Sequence, residues 1–210
     1  MINTKDFYDK LDKIFPEPKC ELEYNSVYQL LVAVILSAQC TDKRVNIVTK
    51  ELFKNYDTPE KMLTLTQEEL EDKIHSCGFY HNKAKNILSM SKDLIEKFDG
   101  KVPKDIEKMQ SLAGVGRKTA NVVYSEAFKG DAIAVDTHVL RVSNRLGFVK
   151  TENPYKCELA LMELFDKSRW GKLHLQLVHF GRYICKAINP KCDECPFTKI
   201  CNFYAKHNTK

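Results

Sequence analysis

Apolar residues recur at helical spacing along nearly the whole chain, and the alternation that marks strands is scarce. Phe7, Tyr8, Leu11, Ile14 and Phe15 form one such stripe. Val27 to Cys40 is apolar enough for a buried helix, with Leu30, Leu31, Val34 and Ile35 as its core. Thr41-Asp42 can cap the next helix, which carries Val45, Val48, Leu52 and Phe53. Thr58-Pro59-Glu60 reads as an N-cap with proline at the first helical position, and Thr66 with Glu69 as a capping box ahead of Leu70 and Ile74. Gly78 and Gly100 fit helix stops, the second after Ile87, Leu88, Leu94, Ile95 and Phe98. Helices are further predicted over 104–112, from Lys118 to Tyr124, and over 136–146, 154–167 and 172–185. The pattern predicts an all-α fold.

Two breaks interrupt that pattern. A soft one lies near Gly130-Asp131; a sharp one follows Ile184, where prolines and cysteines replace helical periodicity. With 210 residues the chain suits one large domain or two small lobes. A formal net charge of +5 leans towards polyanions without demanding one, since solubility alone accounts for such an excess. Residues 1–15 carry Lys5, Asp6, Asp9, Lys10, Asp12 and Lys13, which leaves no apolar signal-peptide core. The longest apolar run, Leu30 to Leu36, is too short to span a bilayer. The expectation is a cytoplasmic protein with no membrane contact, acting as a monomer.

The densest chemistry lies at Leu112-Ala113-Gly114-Val115-Gly116-Arg117-Lys118-Thr119-Ala120. Two glycines one residue apart let the backbone turn tightly between two helices, because glycine takes φ > 0 at little cost. Such a hairpin offers unpaired N–H groups beside a positive helix end, which suits a phosphate. Lys118 falls in the first turn of the second helix, next to Arg117, where its amine can serve as a nucleophile or simply hold a phosphate.

Eight cysteines in a chain of this kind argue for metal or redox use over disulfides. Cys185, Cys192, Cys195 and Cys201 are spaced C-x6-C-x2-C-x5-C. Four thiolates so close in sequence can close around one centre, either zinc or an iron–sulfur cube. The single C-x2-C pair, with Pro190 and Pro196 beside the ligands, favours the cube. Cys20, Cys40, Cys77 and Cys157 are scattered, and most of them read as small buried hydrophobes.

The hairpin, the downstream Val135-Asp136-Thr137-His138 and the terminal cysteine spacing together resemble the endonuclease III family of helix-hairpin-helix DNA glycosylases. Leu36-Ser37-Ala38-Gln39 with Thr41-Asp42, and Gly78-Phe79-Tyr80 with Asn82-Lys83-Ala84, extend the likeness over essentially the whole chain. The resemblance implies two lobes. A six-helix barrel would occupy about residues 20–130, with the hairpin motif at about 104–128. Residues 1–19 and 131–210 would form a helical lobe with a [4Fe-4S] cluster on the loop 185–201. Double-stranded DNA with a damaged base or an abasic site would bind between the lobes.

It also implies an activity: removal of oxidised pyrimidines, then cleavage 3′ to the abasic site by β-elimination. Lys118 matches the nucleophile and Asp136 the essential carboxylate, and Cys185, Cys192, Cys195 and Cys201 match the cluster ligands. Gly114, Gly116, Arg117 and Thr119 would hold the DNA backbone. Gln39 aligns with a residue that fills the space vacated by the flipped nucleotide, and Phe79 with a second wedge position. His138 would line the base pocket or bond to backbone, and Lys191 would reach a phosphate from the cluster loop. The chain departs from the family pattern at three places: Phe79 stands where leucine is expected, Cys40 where alanine is, and Gln110 where some relatives carry glutamate.

Overall fold

The sharpest local rule in the chain, nine consecutive buried positions from Tyr28 to Leu36, places α2 (Val27–Ser37) at the centre of a helical unit. The computed structural model describes residues 3–207. The chain folds into two compact units, Cys20–Gly130 and a second made of Met1–Lys19 with Asp131–Lys210. Residues 1–2 and 208–210, the ends of the second expected lobe, lie outside the described residues. Among the described residues there is no strand, and no helix is long and apolar enough to cross a membrane.

The first unit begins with α2 and continues with α3 (Asp42–Leu52), α4 (Pro59–Met62), α5 (Gln67–Ile74), α6 (Tyr80–Phe98), α7 (Ile106–Gln110) and α8 (Arg117–Phe128). α2 packs against α3, α6 and α8, so its all-round apolar sequence is buried on every side. The caps written into the sequence are made. Thr41, Thr58 and Thr66 each accept an N–H from their own helix, and Thr66 with Glu69 completes the reciprocal box. α7 is shorter than its predicted span because the Asp105 carboxylate accepts Lys108 N–H at 2.8 Å and starts the helix at Ile106.

The second unit holds α1 (Thr4–Ile14), α9 (Thr137–Leu146), α10 (Pro154–Leu164), α11 (Trp170–Tyr183) and α12 (Asn202–His207). Phe7 is buried against Phe148, Phe165 and Phe197, which ties α1 to the segments that follow α9, α10 and the cluster loop. α10 stops three residues before its predicted end, where Phe165 leaves the helix in an extended conformation to enter this core.

Two titratable groups in this unit set its response to acid. His174 on α11 is almost wholly buried, and burial pushes its imidazole down to about 4 against the pull of the Asp136 carboxylate. Between that value and the ordinary value of about 6.5 the unfolded chain binds a proton the folded one does not. Stability is therefore complete above about pH 6.5 and falls by about 3 kcal/mol as the pH drops through about 4. Asp12 extends the trend. Burial alone would raise it, but hydrogen bonds from Lys172, Gln176 and Arg169 hold it at about 2, so its contribution is lost as the pH falls from 3.8 towards that value. Denaturant titrations between pH 7 and pH 4 should show this slope, and His174→Gln should flatten it.

Candidate active site and cluster loop

Leu112 and Val115 are both buried in the core of the first unit, while Gly114 and Gly116 between and after them stay exposed. The apolar pair thus anchors the hairpin and turns its glycines outward. Gly114 takes φ +76°, and a Cβ there would stand 2.9 Å from Asn86 Cβ, so both conformation and space call for glycine. Gly116 differs from the sequence expectation. Its backbone is extended, at φ −83°, and a Cβ would meet nothing within 4 Å. It acts as the N-cap of α8, and with no side chain it leaves the first turn without a side-chain cap. Arg117 and Lys118 follow as the first two helical residues, both exposed, with Thr119 half-buried beside them. An exposed amine in the first turn of a helix, behind amides suited to an anion, is the arrangement the sequence predicts.

Elsewhere in the same unit four non-glycine residues sit on left-handed backbone, Asp99 and Lys129 at helix ends and Gln39 and Phe79 in turns. Gln39 has φ +54° and Phe79 φ +49°, left-handed values that cost a non-glycine residue on the order of 1 kcal/mol or more. Gln39 is exposed, and Phe79 is 63% exposed although aromatic. Phe79 thus presents its ring to solvent. The two turns are fastened together by Lys83, which is 5% exposed. Its ammonium donates to Leu36 O at 2.9 Å, Ala38 O at 2.8 Å and Cys77 O at 2.9 Å. Burial lowers its pKa, opposed by the charges of Cys77 and Cys40. Lys83→Met leaves three carbonyls without their donor, and a loss of about 3 kcal/mol is expected by denaturant unfolding. Sequence reasoning gives Lys83 no role. The available signal is a lysine four residues after Phe79 on the apolar side of α6.

In the second unit Asp136 is the N-cap of α9, its Oδ1 accepting Val139 N–H at 2.8 Å. The cap fixes where the carboxylate stands. His138 lies in the first turn of α9, and Arg141 Nη2 donates to its Nδ1 at 3.2 Å, which makes that nitrogen an acceptor. Burial lowers the His138 pKa despite the Asp136 charge, with Arg141 and Arg182 lowering it further, so the ring is neutral at pH 7. Arg141 also donates to Gly181 O at 2.8 Å and to Cys185 O at 3.1 Å. A Cβ on Gly181 would lie 2.7 Å from His138 Cβ, so glycine there lets α11 approach α9.

Cys185 follows α11, Cys192 opens a short 3-10 turn that Cys195 follows, and Cys201 precedes α12. Phe197, 2% exposed, pins the loop between Phe7 and Phe180. Arg145 braces its start by donating to Lys186 O at 2.7 Å and Ala187 O at 3.0 Å while lying over the Phe203 ring at 4.1 Å. All four cysteines line one small pocket, of about 20 Å³. Among the described residues no three Cys, His, Asp or Glu side chains stand close enough to hold a single ion. Four cysteines around one pocket fit the donor set of an iron–sulfur cluster. Sulfur-directed donors are in place: Phe197 N–H to Cys195 at 3.4 Å, Tyr204 N–H to Cys201 at 3.3 Å and Arg145 Nη1 to Cys185 at 3.5 Å. Burial pushes the Cys195 thiol up to about 11, and the charges of Cys185, Cys201 and Cys192 add to the rise. Thiolates gathered here repel one another, and a bound cationic centre would offset that repulsion. Lys191 is exposed and paired with Glu194 at 3.1 Å.

Comparison with known proteins gives these sites their setting. Residues 32–167 match the family of HhH-GPD superfamily base excision DNA repair proteins, and residues 185–201 match the iron–sulfur binding domain of endonuclease III. Endonuclease III of Bacillus subtilis (strain 168) is 49% identical over 100% of this chain and 98% of its own length. That of Rickettsia conorii is 48% identical over 93% and 95%. A non-covalent endonuclease III–DNA complex superposes with a TM-score of 0.94 at 46% identity, covering 100% of both chains. A trapped endonuclease III–DNA covalent intermediate gives 0.93 at 46%, over 98% and 99%. A helical fold with a glycine hairpin and a terminal cysteine loop thus defines a helix-hairpin-helix base excision repair protein. Within that superfamily the chain belongs to the endonuclease III family. Its cofactor is a [4Fe-4S] cluster.

Proposed function

We propose that this chain is a bifunctional DNA glycosylase and abasic-site lyase, excising oxidised pyrimidines from duplex DNA of the nucleoid in the cytoplasm. The observation that carries the reading is Lys118, an exposed amine at the start of α8 directly behind the glycine hairpin, in a family with a DNA-linked covalent intermediate. The hairpin amides at Gly114 and Gly116, with Arg117 and Thr119, hold the phosphodiester backbone. Deprotonated Lys118 Nζ attacks C1′; the new N–C bond forms as the glycosidic bond breaks and the base departs with its electron pair. One proton then passes from that nitrogen to O4′ as the C1′–O4′ bond breaks and the C=N bond forms, which leaves the protonated imine of the opened sugar. The protonated imine acidifies the C2′ hydrogen, whose removal expels the 3′ phosphate and cuts the strand.

Asp136 stabilises positive charge developing on the sugar and assists these proton transfers. Gln39 and Phe79 enter the space left by the extruded nucleotide, which costs about a few kcal/mol to unstack and unpair. His138 lines the base pocket as a neutral ring, and Lys191 reaches a phosphate by exchanging its Glu194 partner for DNA. Cys185, Cys192, Cys195 and Cys201 hold the cluster, which when bound cross-links a loop that has little apolar core of its own.

The test incubates the cluster-loaded protein with abasic and thymine-glycol duplexes and adds borohydride. A covalent protein–DNA adduct is expected with both; no adduct with either would overturn the reading.

A further inference from the structure

The two strained turns that carry Gln39 and Phe79 each hold a cysteine the function leaves unused. Cys40 follows Gln39 and is half-buried; Cys77 ends the 3-10 turn before Gly78-Phe79 and is 2% exposed. That 3-10 turn packs against α3, which starts two residues after Cys40, and Lys83 draws the carbonyls of Ala38 and Cys77 onto one ammonium. Both cysteines therefore sit at the turns that this one ammonium joins. Burial pushes Cys77 up to about 11, and Cys40 acts on it both by charge and by a side-chain hydrogen bond, while Lys83 and Arg44 oppose the rise.

We infer that Cys40 and Cys77 are a reversible redox pair whose disulfide ties the Gln39 and Phe79 turns together and suppresses engagement of damaged DNA. The oxidant is a hydroperoxide. The Cys40 thiolate, the more accessible of the two, attacks the terminal peroxide oxygen; the O–O bond breaks, the alcohol leaves with a proton, and Cys40 becomes a sulfenic acid. Cys77 then attacks the Cys40 sulfur, the S–S bond forms, and hydroxide leaves and takes the thiol proton as water. Two thiols and one hydroperoxide give one disulfide, one alcohol and one water, with two electrons passing from sulfur to oxygen. A dithiol reverses the change. Closing a thiol contact to an S–S bond of about 2.05 Å draws the turns together, and a shift of about 1 Å in a positioning element can cost on the order of 10²-fold.

The effect on DNA rests on the wedge roles proposed for Gln39 and Phe79, so reduced parent and reduced Phe79→Ala are compared first. Equal excision by the two overturns the wedge reading, and with it the DNA effect inferred here, before any oxidant is added. The cluster-loaded protein is then treated with stoichiometric hydrogen peroxide while the visible absorbance of the cluster is followed, and remaining thiols are alkylated. Peptide mass spectrometry should find Cys40 joined to Cys77. Binding to a duplex with a stable abasic-site analogue should fall at least tenfold and return with dithiothreitol. Cys40→Ala and Cys77→Ala should keep their binding under the same treatment. Absence of the cross-linked peptide overturns the inference, as does a cross-link with unchanged binding, or an equal loss in Cys40→Ala.

Discussion

Lys118→Gln is expected to abolish strand cleavage and borohydride trapping while leaving the fold and most of the DNA affinity in place. Lys118 is exposed in the first turn of α8, and Gln is nearly as good a helix former as Lys, so stability should stay within about 0.5 kcal/mol. The buried anchors Leu112 and Val115 and the conformation of Gly114 do not depend on the side chain at 118. Binding therefore loses one cation beside the phosphates and weakens only a few-fold. Chemistry loses the atom that bonds to C1′, and single-turnover excision and cleavage should fall on the order of 10⁴-fold. The adduct is the decisive readout. A Lys118→Gln protein that still traps DNA would move the nucleophile elsewhere, whereas one that cleaves normally would reduce Lys118 to a phosphate contact.

Much of this arrangement can be read from residues whose chemistry is local. Thr66 with Glu69, Thr58 before Pro59, and Asp136 ahead of Val139 are caps recognisable from three or four consecutive residues, and the structure makes each bond. The cysteine spacing and the hairpin are equally local. What escapes prediction depends on partners far apart in sequence. Lys83 meets the Leu36 carbonyl 47 residues away, and Arg141 meets Cys185 44 residues away; a charge destined for burial looks in sequence like any solvated one. Gly116 shows the opposite error. Paired glycines suggest left-handed turns, but the helix-start role of Gly116 needs only the absence of a competing side chain. Phe79 combines both difficulties: its aromatic character suggests the core, and only the left-handed backbone beside Gly78 turns it outward.

Asp136 can be separated into its two roles by a pair of substitutions. Its Oδ1 caps α9 at 2.8 Å, and the proposed chemistry asks for a carboxylate at the same place. Asparagine caps a helix about as well as aspartate, so Asp136→Asn should change stability by no more than about 0.5 kcal/mol, the lost charge near the helix dipole included. Alanine cannot accept the Val139 N–H, and Asp136→Ala should cost about 1 kcal/mol, or roughly 2–4 °C in Tm for a chain of this size. Activity should not follow that order. Both variants lack the carboxylate, so both should lose about 10²–10⁴-fold in single-turnover excision, the range for a lost acid–base group. His138 does not compensate by gaining charge in either variant. Its neutral ring accepts from Arg141, burial opposes protonation, and loss of the Asp136 charge lowers its pKa further. Near-parental excision by Asp136→Asn would make Asp136 a cap and nothing more. Equal destabilisation by Asn and Ala would instead place the helix start under some other control. A stable, correctly capped and inactive Asp136→Asn protein is the result that assigns the carboxylate to the reaction.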